Sequence, residues 1–285
     1  MILITDTEQM TSKAQEQKQA GKSIGFVPTM GFLHEGHLKL IEEARKENDY
    51  VVVSIYVNPL QFGPNEDYDQ YPRNLERDLQ LAKQSGVDAV FVPNDDTMYR
   101  DSLTIKMTVT DRVDVLCGAT REGHFDGVVT VVSKLFNLIQ PNRAYFGMKD
   151  AQQVAVIDAL IGDYFFPIEL CKVDTVRESD GLAKSSRNVN LTNEERQQAV
   201  HLYQSLKKAK MMINQGERSP DRIEQFIKDY IMKNTSGTID YVSVLSYPEL
   251  AEINCINGQV IMAMAVKFSR VRLIDNLIIT VNKRR

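Results

Sequence analysis

The sequence predicts an α/β protein, a doubly wound parallel sheet followed by a smaller α+β segment, on three observations. Residues 50–57 (YVVVSIYV) are an almost unbroken apolar, β-branched run, which is the composition of a strand covered on both faces. Short apolar runs alternate with helix-period segments up to residue 92 and again from 128 to 173, as successive β-α-β units require. Beyond about residue 190 the pattern changes to long amphipathic stretches followed by strands.

In chain order, residues 22–27 (KSIGFV) read as a strand and PTMGFLHEGH as a turn-rich segment. A helical pattern spans about 36–48, with Leu40, Ile41 and Ala44 on one side. After the 50–57 strand, Leu75, Leu79 and Ala82 are in phase over about 74–84, and Gly86 stops that helix before the strand 87–92 (VDAVFV). The pattern resumes with a helix over 128–139, a short strand at 144–146, a helix over 152–161 and a strand at 168–173. Thr192 then begins T-N-E-E, a capping box with Glu195 three residues on. It opens a helix of about 20 residues, the upper end of the ordinary range for a globular helix. Ser219-Pro220 starts another, with Pro at the first helical position, and Ile223, Phe226, Ile227, Tyr230 and Ile231 form its apolar stripe. Residues 241–245, 260–266 and 277–281 read as strands. A boundary at 176–190 divides the chain into residues 1–175 and 176–285. Ligands in doubly wound sheets sit beyond the carboxyl ends of the strands, so the loops there are the ones to search.

At 285 residues the chain is longer than one domain usually is. Hydrophobic residues at 43% and charged residues at 25% allow a sizeable core. A formal net charge of −4 argues against a general nucleic-acid footprint, so anionic ligands must be held by local groups. Cys117, Cys171 and Cys255 are far apart and form no CxxC, which reads as buried thiols rather than a disulfide framework or zinc ribbon. The first residues lack a basic segment followed by an apolar stretch. No run reaches the ~20 apolar residues that span a bilayer. The expectation is a cytoplasmic protein with no nucleic-acid or membrane partner.

The strongest local signal is Pro28-Thr29-Met30-Gly31-Phe32-Leu33-His34-Glu35-Gly36-His37, lying between a strand and a helix. Gly31 permits a sharp turn and Gly36 a close approach of phosphate to the main chain. The helix start adds free N–H groups and a positive dipole end. His34 and His37, three apart, share a helical face. They can donate to phosphate oxygens as charge develops, cap the helix, or serve as two metal ligands. Gln61, in Asn58-Pro59-Leu60-Gln61-Phe62, suits a hydroxyl or carboxylate, or is a loop amide facing water. Asp78 is a Mg²⁺ ligand or a helix-surface acid. In Phe146-Gly147-Met148-Lys149-Asp150, Gly147 lets a ligand approach the backbone and Lys149 supplies a point charge. Gln152 and Gln153 follow in the first helical turn. Lys184-Ser185-Ser186-Arg187 brings two cations and two hydroxyls into four residues, either a solvated basic turn or, beside the histidines and Lys149, part of a triphosphate cage. Lys184 is expected to be exposed.

P-T-M-G-x-L-H-x-G-H, V-N-P-x-Q-F, Y-P-R, R-E-G-H-F-D-G-V, F-G-x-K-D-x-Q-Q and D-G-L-A-x-S-S-R-N occur in this order between Pro28 and Asn188. Together they resemble the pantothenate synthetase family of the H-x-G-H nucleotidylyltransferase superfamily. The resemblance implies a Rossmann-type N-terminal domain holding the site, a smaller C-terminal α+β lid domain, and a homodimer. It implies that ATP, with Mg²⁺, activates pantoate as an adenylate that the amine of β-alanine then attacks. By motif, Met30 to His37 would line the ATP site, with His37 as proton donor and His34 and Lys149 beside it in catalysis. Gly147 to Asp150 and Val176 would touch the nucleotide, and Lys184 to Arg187 its phosphates. Gln61 would contact pantoate and the β-alanine region and Gln153 would contact pantoate, and Arg121 and His124 belong to a block whose role carries over less firmly. Lys184 stands where the family more usually has Met, and Met148 where Glu or Gln is commoner. Two other readings share parts of this pattern: a nucleotidyltransferase whose product retains AMP, and a nucleotide-binding sensor without turnover.

Overall fold

The structure, a computed structural model, describes residues 1–64, 66–99 and 103–282. Its strands are β1 (Ile2–Ile4), β2 (Ile24–Thr29), β3 (Tyr50–Ile55), β4 (Ala89–Phe91), β5 (Arg143–Gly147), β6 (Glu169–Val173), β7 (Thr238–Ser246), β8 (Gly258–Lys267) and β9 (Arg272–Val281). Its helices are α1 (Thr7–Gln19), α2 (Glu35–Glu47), α3 (Leu75–Gln84), α4 (Asp95–Met98), α5 (Leu116–Thr120), α6 (His124–Ile139), α7 (Ala151–Asp163), α8 (Asn193–Asn214) and α9 (Pro220–Asn234). Single 3₁₀ turns form at Pro59–Gln61, Met148–Asp150 and Ser186–Asn190.

Two compact units result. The first comprises Met1–Thr110, Arg121–Met148 and Val156–Asp174; the second comprises Asp111–Thr120, Lys149–Ala155 and Thr175–Arg285. In the first, six parallel strands run in the order β1-β4-β3-β2-β5-β6. Every residue of β3 is buried, as its unbroken apolar run requires of a strand covered on both faces. Leu40, Ile41 and Ala44 of α2 pack with Val27, Val51 and Val53 in one core. Sequence order reverses between β2 and β5, and that reversal is the switch point where such sheets open a crevice beyond their carboxyl ends. The chain leaving β2 and β5 carries the P-T-M-G-x-L-H-x-G-H and F-G-x-K-D motifs.

In the second unit, α8 and α9 pack on the antiparallel sheet β7-β8-β9. Both helices start as their sequences predict. Thr192 and Glu195 cap α8 reciprocally. Ser219 caps α9, with Pro at the start of the helix. Glu195 also accepts from the Ser269 amide, and the hydrogen bonds from Ser269 and Thr192 hold its carboxyl down at about 2.

Among the differences from the sequence reading are those at α6, at the cysteines and at the N-terminal elements. Helix α6 begins at His124 instead of 128, because Gly123 takes the left-handed region at φ 73° and turns the chain into it. The expectation of buried thiols holds for Cys117 alone; Cys171 is half-buried and Cys255 exposed. Elements β1 and α1 lie outside the predicted set: β1 has three residues at the sheet edge, and α1 buries only Met10, Ala14 and Gln17, too few apolar positions to make a stripe.

Candidate active site

The loop after β2 is built from inside. Gly31 sits at φ 81°, and a Cβ there would lie 2.9 Å from the Ile55 side chain and 3.1 Å from an Asp78 carboxylate oxygen. Phe32 follows at φ 48°. These two left-handed residues point consecutive amides at Asp78. Phe32 N–H donates to Oδ2 and Leu33 N–H to Oδ1, each at 2.7 Å. Asp78 is 1% exposed, which corrects the helix-surface reading. Burial pushes its carboxyl above the ordinary range, while the amides of Leu33 and Phe32 pull the other way. Both oxygens are committed to the loop. Among the described residues no group of three or more His, Cys, Asp or Glu could hold a metal ion.

Helix α2 then starts under the two histidines. His34 is its N-cap, and its Nδ1 accepts from the Gly36 amide at 3.1 Å. The His37 Nδ1 accepts from the His34 amide at 3.3 Å. A backbone N–H can only donate, so neither Nδ1 carries a proton and each neutral ring carries its proton on Nε2. The ring centroids are 4.1 Å apart. The capping role raised as an alternative is therefore real, and it fixes the tautomer that a phosphate-binding donor needs.

Gln61 is 8% exposed, which corrects the reading of a water-facing amide. Its Oε1 accepts from Asn58 Nδ2 at 3.1 Å and its Nε2 lies 3.1 Å from the Met30 sulfur. The first unit thus gathers Met30 to His37, Gln61 and Asp78 into one hydrogen-bonded group. Gly147 ends β5 and Met148 follows it at the same carboxyl end of the sheet. A Cβ at Gly147 would meet nothing within 4 Å among the described residues, so packing alone does not require glycine there.

The second unit holds the other expected residues. Lys149 has a side chain 20% exposed, 3.8 Å from the Asp150 carboxylate, and its carbonyl accepts from Asn276 Nδ2 at 2.9 Å. Gln152 is consumed by main chain, donating to Arg112 O and Val115 O and accepting from the Cys117 amide. Its neighbour Gln153 is half-buried in the first turn of α7. The Lys184 amide donates to Val176 O at 2.9 Å beside an antiparallel bridge between Arg177 and Ala183. Ser185 caps the following turn by accepting from the Arg187 amide, and Ser186 is buried.

Sequence reasoning missed the group beneath this hairpin. Arg177 pairs with Asp275 through two parallel bonds of 2.7 and 2.8 Å and lies 3.6 Å over the Tyr203 ring. Asn276, which reaches Lys149, is the next residue. The signal was present as Asp275-Asn276 interrupting L-I-D-N-L-I-I, two buried polar residues within an apolar stretch of β9.

Lys184 is half-buried and not exposed as expected, with Nζ 2.7 Å from Glu178 Oε1. Because that ion pair occupies the ammonium, Lys184→Met is expected to change turnover by less than about tenfold, or roughly 1.4 kcal/mol of barrier. Steady-state rates at saturating substrates check this, and a far larger loss makes Lys184 a phosphate ligand.

A parallel sheet with an H-x-G-H helix start at its switch point defines the chain as an H-x-G-H α/β protein. The sequence profile of the family described as pantoate-beta-alanine ligase matches residues 2–278. A pantothenate synthetase of Geobacillus sp. (strain WCH70) is 57% identical over 97% of this chain and 98% of its own. That of Bacillus subtilis (strain 168) is 57% identical over 99% of each. Among solved structures, pantothenate synthetase from Thermus thermophilus superposes with a TM-score of 0.92 at 41% identity, over 97% of this chain and 99% of that one. A pantoate-beta-alanine ligase from Francisella tularensis, solved with beta-gamma ATP and beta-alanine, gives 0.79 at 34% identity over 97% of each chain. The chain belongs to the pantoate–β-alanine ligase family, and it is an enzyme that joins pantoate to β-alanine.

Proposed function

We propose that this ligase uses ATP to make a pantoyl-adenylate, and that His37 and His34 donate from Nε2 to the phosphates during that step. A pantoate carboxylate oxygen attacks the α-phosphorus, the bond from that phosphorus to the bridging oxygen breaks, and pyrophosphate leaves. The amine lone pair of β-alanine then attacks the acyl carbon, the acyl–oxygen bond breaks, AMP leaves, and the nitrogen gives up a proton. The first step develops charge on phosphate oxygens, so fixed donors matter more there than covalent help. The observation that carries this reading is the pair of Nδ1 acceptors, which leaves Nε2–H as the donor on each ring.

In the first unit, Met30 to His37 with Gly147 and Met148 are assigned to ATP, and Gln61 to pantoate. In the second, Lys149, Ser185, Ser186 and Arg187 are assigned to the nucleotide phosphates, Asp150 and Val176 to the nucleotide, and Gln153 to pantoate. Mg²⁺ is assigned to the ATP phosphates, since it is usually bound by few carboxylates and completed by substrate and water. The family resemblance supports a homodimer, and the demand for ATP suits the cytoplasm.

The test is isotope exchange between ATP and pyrophosphate. Pantoate alone should support it with β-alanine omitted. No exchange from enzyme that still makes pantothenate would overturn the two-step reading.

A further inference from the structure

A half-buried ionic group in the first unit has no part in the chemistry assigned above. Arg121 forms a two-pronged ion pair with Glu66, Nε to Oε1 at 2.8 Å and one terminal nitrogen to Oε2. The same terminal nitrogen donates to the carbonyl of Gln61 at 3.2 Å. The other terminal nitrogen lies 3.1 Å from His124 Nε2. His124 Nδ1 is 2.7 Å from that same Gln61 carbonyl.

The proton positions follow. A carbonyl oxygen can only accept, so His124 Nδ1 carries the proton; a guanidinium can only donate, so Nε2 accepts. Burial pushes the Glu66 carboxyl up, but the Arg121 guanidinium outweighs it and holds the carboxyl below its ordinary range. Side chains of Arg121 and Glu66 are 17% and 22% exposed. Such a pair is weak evidence of stabilisation, because desolvation offsets much of the attraction. Fixing one conformation is the better-supported use.

What it fixes is one residue. Both lone pairs of the Gln61 carbonyl are taken, by Arg121 and by His124, while the Gln61 side chain is aimed separately by Asn58 and Met30. Asn58 is itself held, donating to Gly127 O at 3.0 Å and accepting from the Tyr99 hydroxyl at 2.7 Å. The arrangement depends on close approach of α6: a Cβ on Gly127 would lie 2.2 Å from the carbonyl oxygen of Leu60. Gly123, left-handed, brings Arg121 and His124 round to the same carbonyl.

We propose that Glu66, Arg121 and His124 are positioning residues for the acid substrate, acting through Gln61 by clamping its carbonyl so that its side-chain amide meets pantoate. The proposal rests on the assignment of Gln61 to pantoate. A displacement of about an ångström at a substrate-positioning group can cost up to about 10²-fold in rate, so a loosened clamp should be visible without any direct contact to substrate.

The test measures KM for pantoate and for ATP separately, with kcat and a thermal melt, in Glu66→Gln, Arg121→Lys, His124→Ala and His124→Asn. Each of the first three should lower kcat/KM for pantoate by about 10- to 100-fold, with KM for ATP near its original value. His124→Asn should recover most of the loss, because the Asn amide places a donor near the position of Nδ1. Arg121→Lys is repeated in a Gln61→Ala background, where it should cost little more, since coupled residues are not additive. If Gln61→Ala leaves the pantoate parameters unchanged, the assignment of Gln61 falls and the proposal with it. If Gln61→Ala impairs pantoate use but Arg121→Lys costs the same in both backgrounds, Gln61 stands and the clamp is overturned. Equal rises in both KM values, or no recovery by His124→Asn, also overturn it.

Discussion

His37→Ala is expected to lower turnover by about 10²–10³-fold at saturating ATP, pantoate and β-alanine, the scale seen when one fixed donor to a developing charge is lost. The ring accepts from the His34 amide through Nδ1, so its proton is on Nε2 before substrate arrives. It stands in the first turn of α2, where the positive end of the helix dipole favours an anionic ligand. A donor that strengthens only as charge develops accelerates the step and does not merely bind. The variant loses one hydrogen bond of the capping box, from the His34 amide, worth about 1 kcal/mol, so the melt should shift slightly and the fold survive. Two further variants separate capping from donation. His37→Asn can keep an acceptor for the His34 amide but has no donor where Nε2–H was, so it should remain slow. His37→Gln carries an amide N–H nearer that position and should recover part of the rate. Near-normal turnover in His37→Asn would make the residue a cap, and His34 or Lys149 would take the donor role.

The sheet was legible because burial on both faces leaves an apolar record: residues 50–57 read as a strand, and β3 is buried throughout. Helices with a stripe, such as α2 and α9, were legible for the same reason. Element α1 was not, since most of its surface is polar and little of it is buried. The site was legible as residue types near strand ends and less so as contacts. Asp78 sits among Glu76, Arg77 and Gln80, which look like helix surface, yet it is buried because its partners are amides 46 and 45 residues earlier in the chain. Local composition holds no trace of a partner so remote. Gln61 hid its burial likewise: its carbonyl is held from Arg121 and His124, 60 and 63 residues on. The R-E-G-H-F-D-G-V block could be seen, but its target could not. Gly127 within it is explained only by the Leu60 carbonyl it makes room for.

Asp275→Ala is expected to destabilise the protein by about 3–5 kcal/mol, the usual result of removing one partner from a buried ion pair. The side chains of Asp275 and Arg177 are 3% and 15% exposed, so solvent cannot replace the lost carboxylate easily. Asp275 accepts two bonds from Arg177 and a third from the Asn276 amide. Truncation leaves the guanidinium with the carbonyls of Gly181 and Asn276 and the Tyr203 ring. None of these neutralises its charge. The cost therefore comes from the stranded cation more than from the lost contact, which predicts an asymmetry. Arg177→Met with Asp275→Leu removes both charges and fills similar volume, and it should recover most of the stability, because apolar replacement of a whole buried pair is often neutral or better. Urea unfolding followed by circular dichroism measures both variants, with the slope checked for constancy so that a shifted midpoint reports stability. A loss below about 1 kcal/mol in Asp275→Ala, as an exposed pair would give, would show that water reaches Arg177. Full stability with slow turnover in the double variant would show that the pair also holds Asn276 against the Lys149 carbonyl, and so sets where that lysine begins.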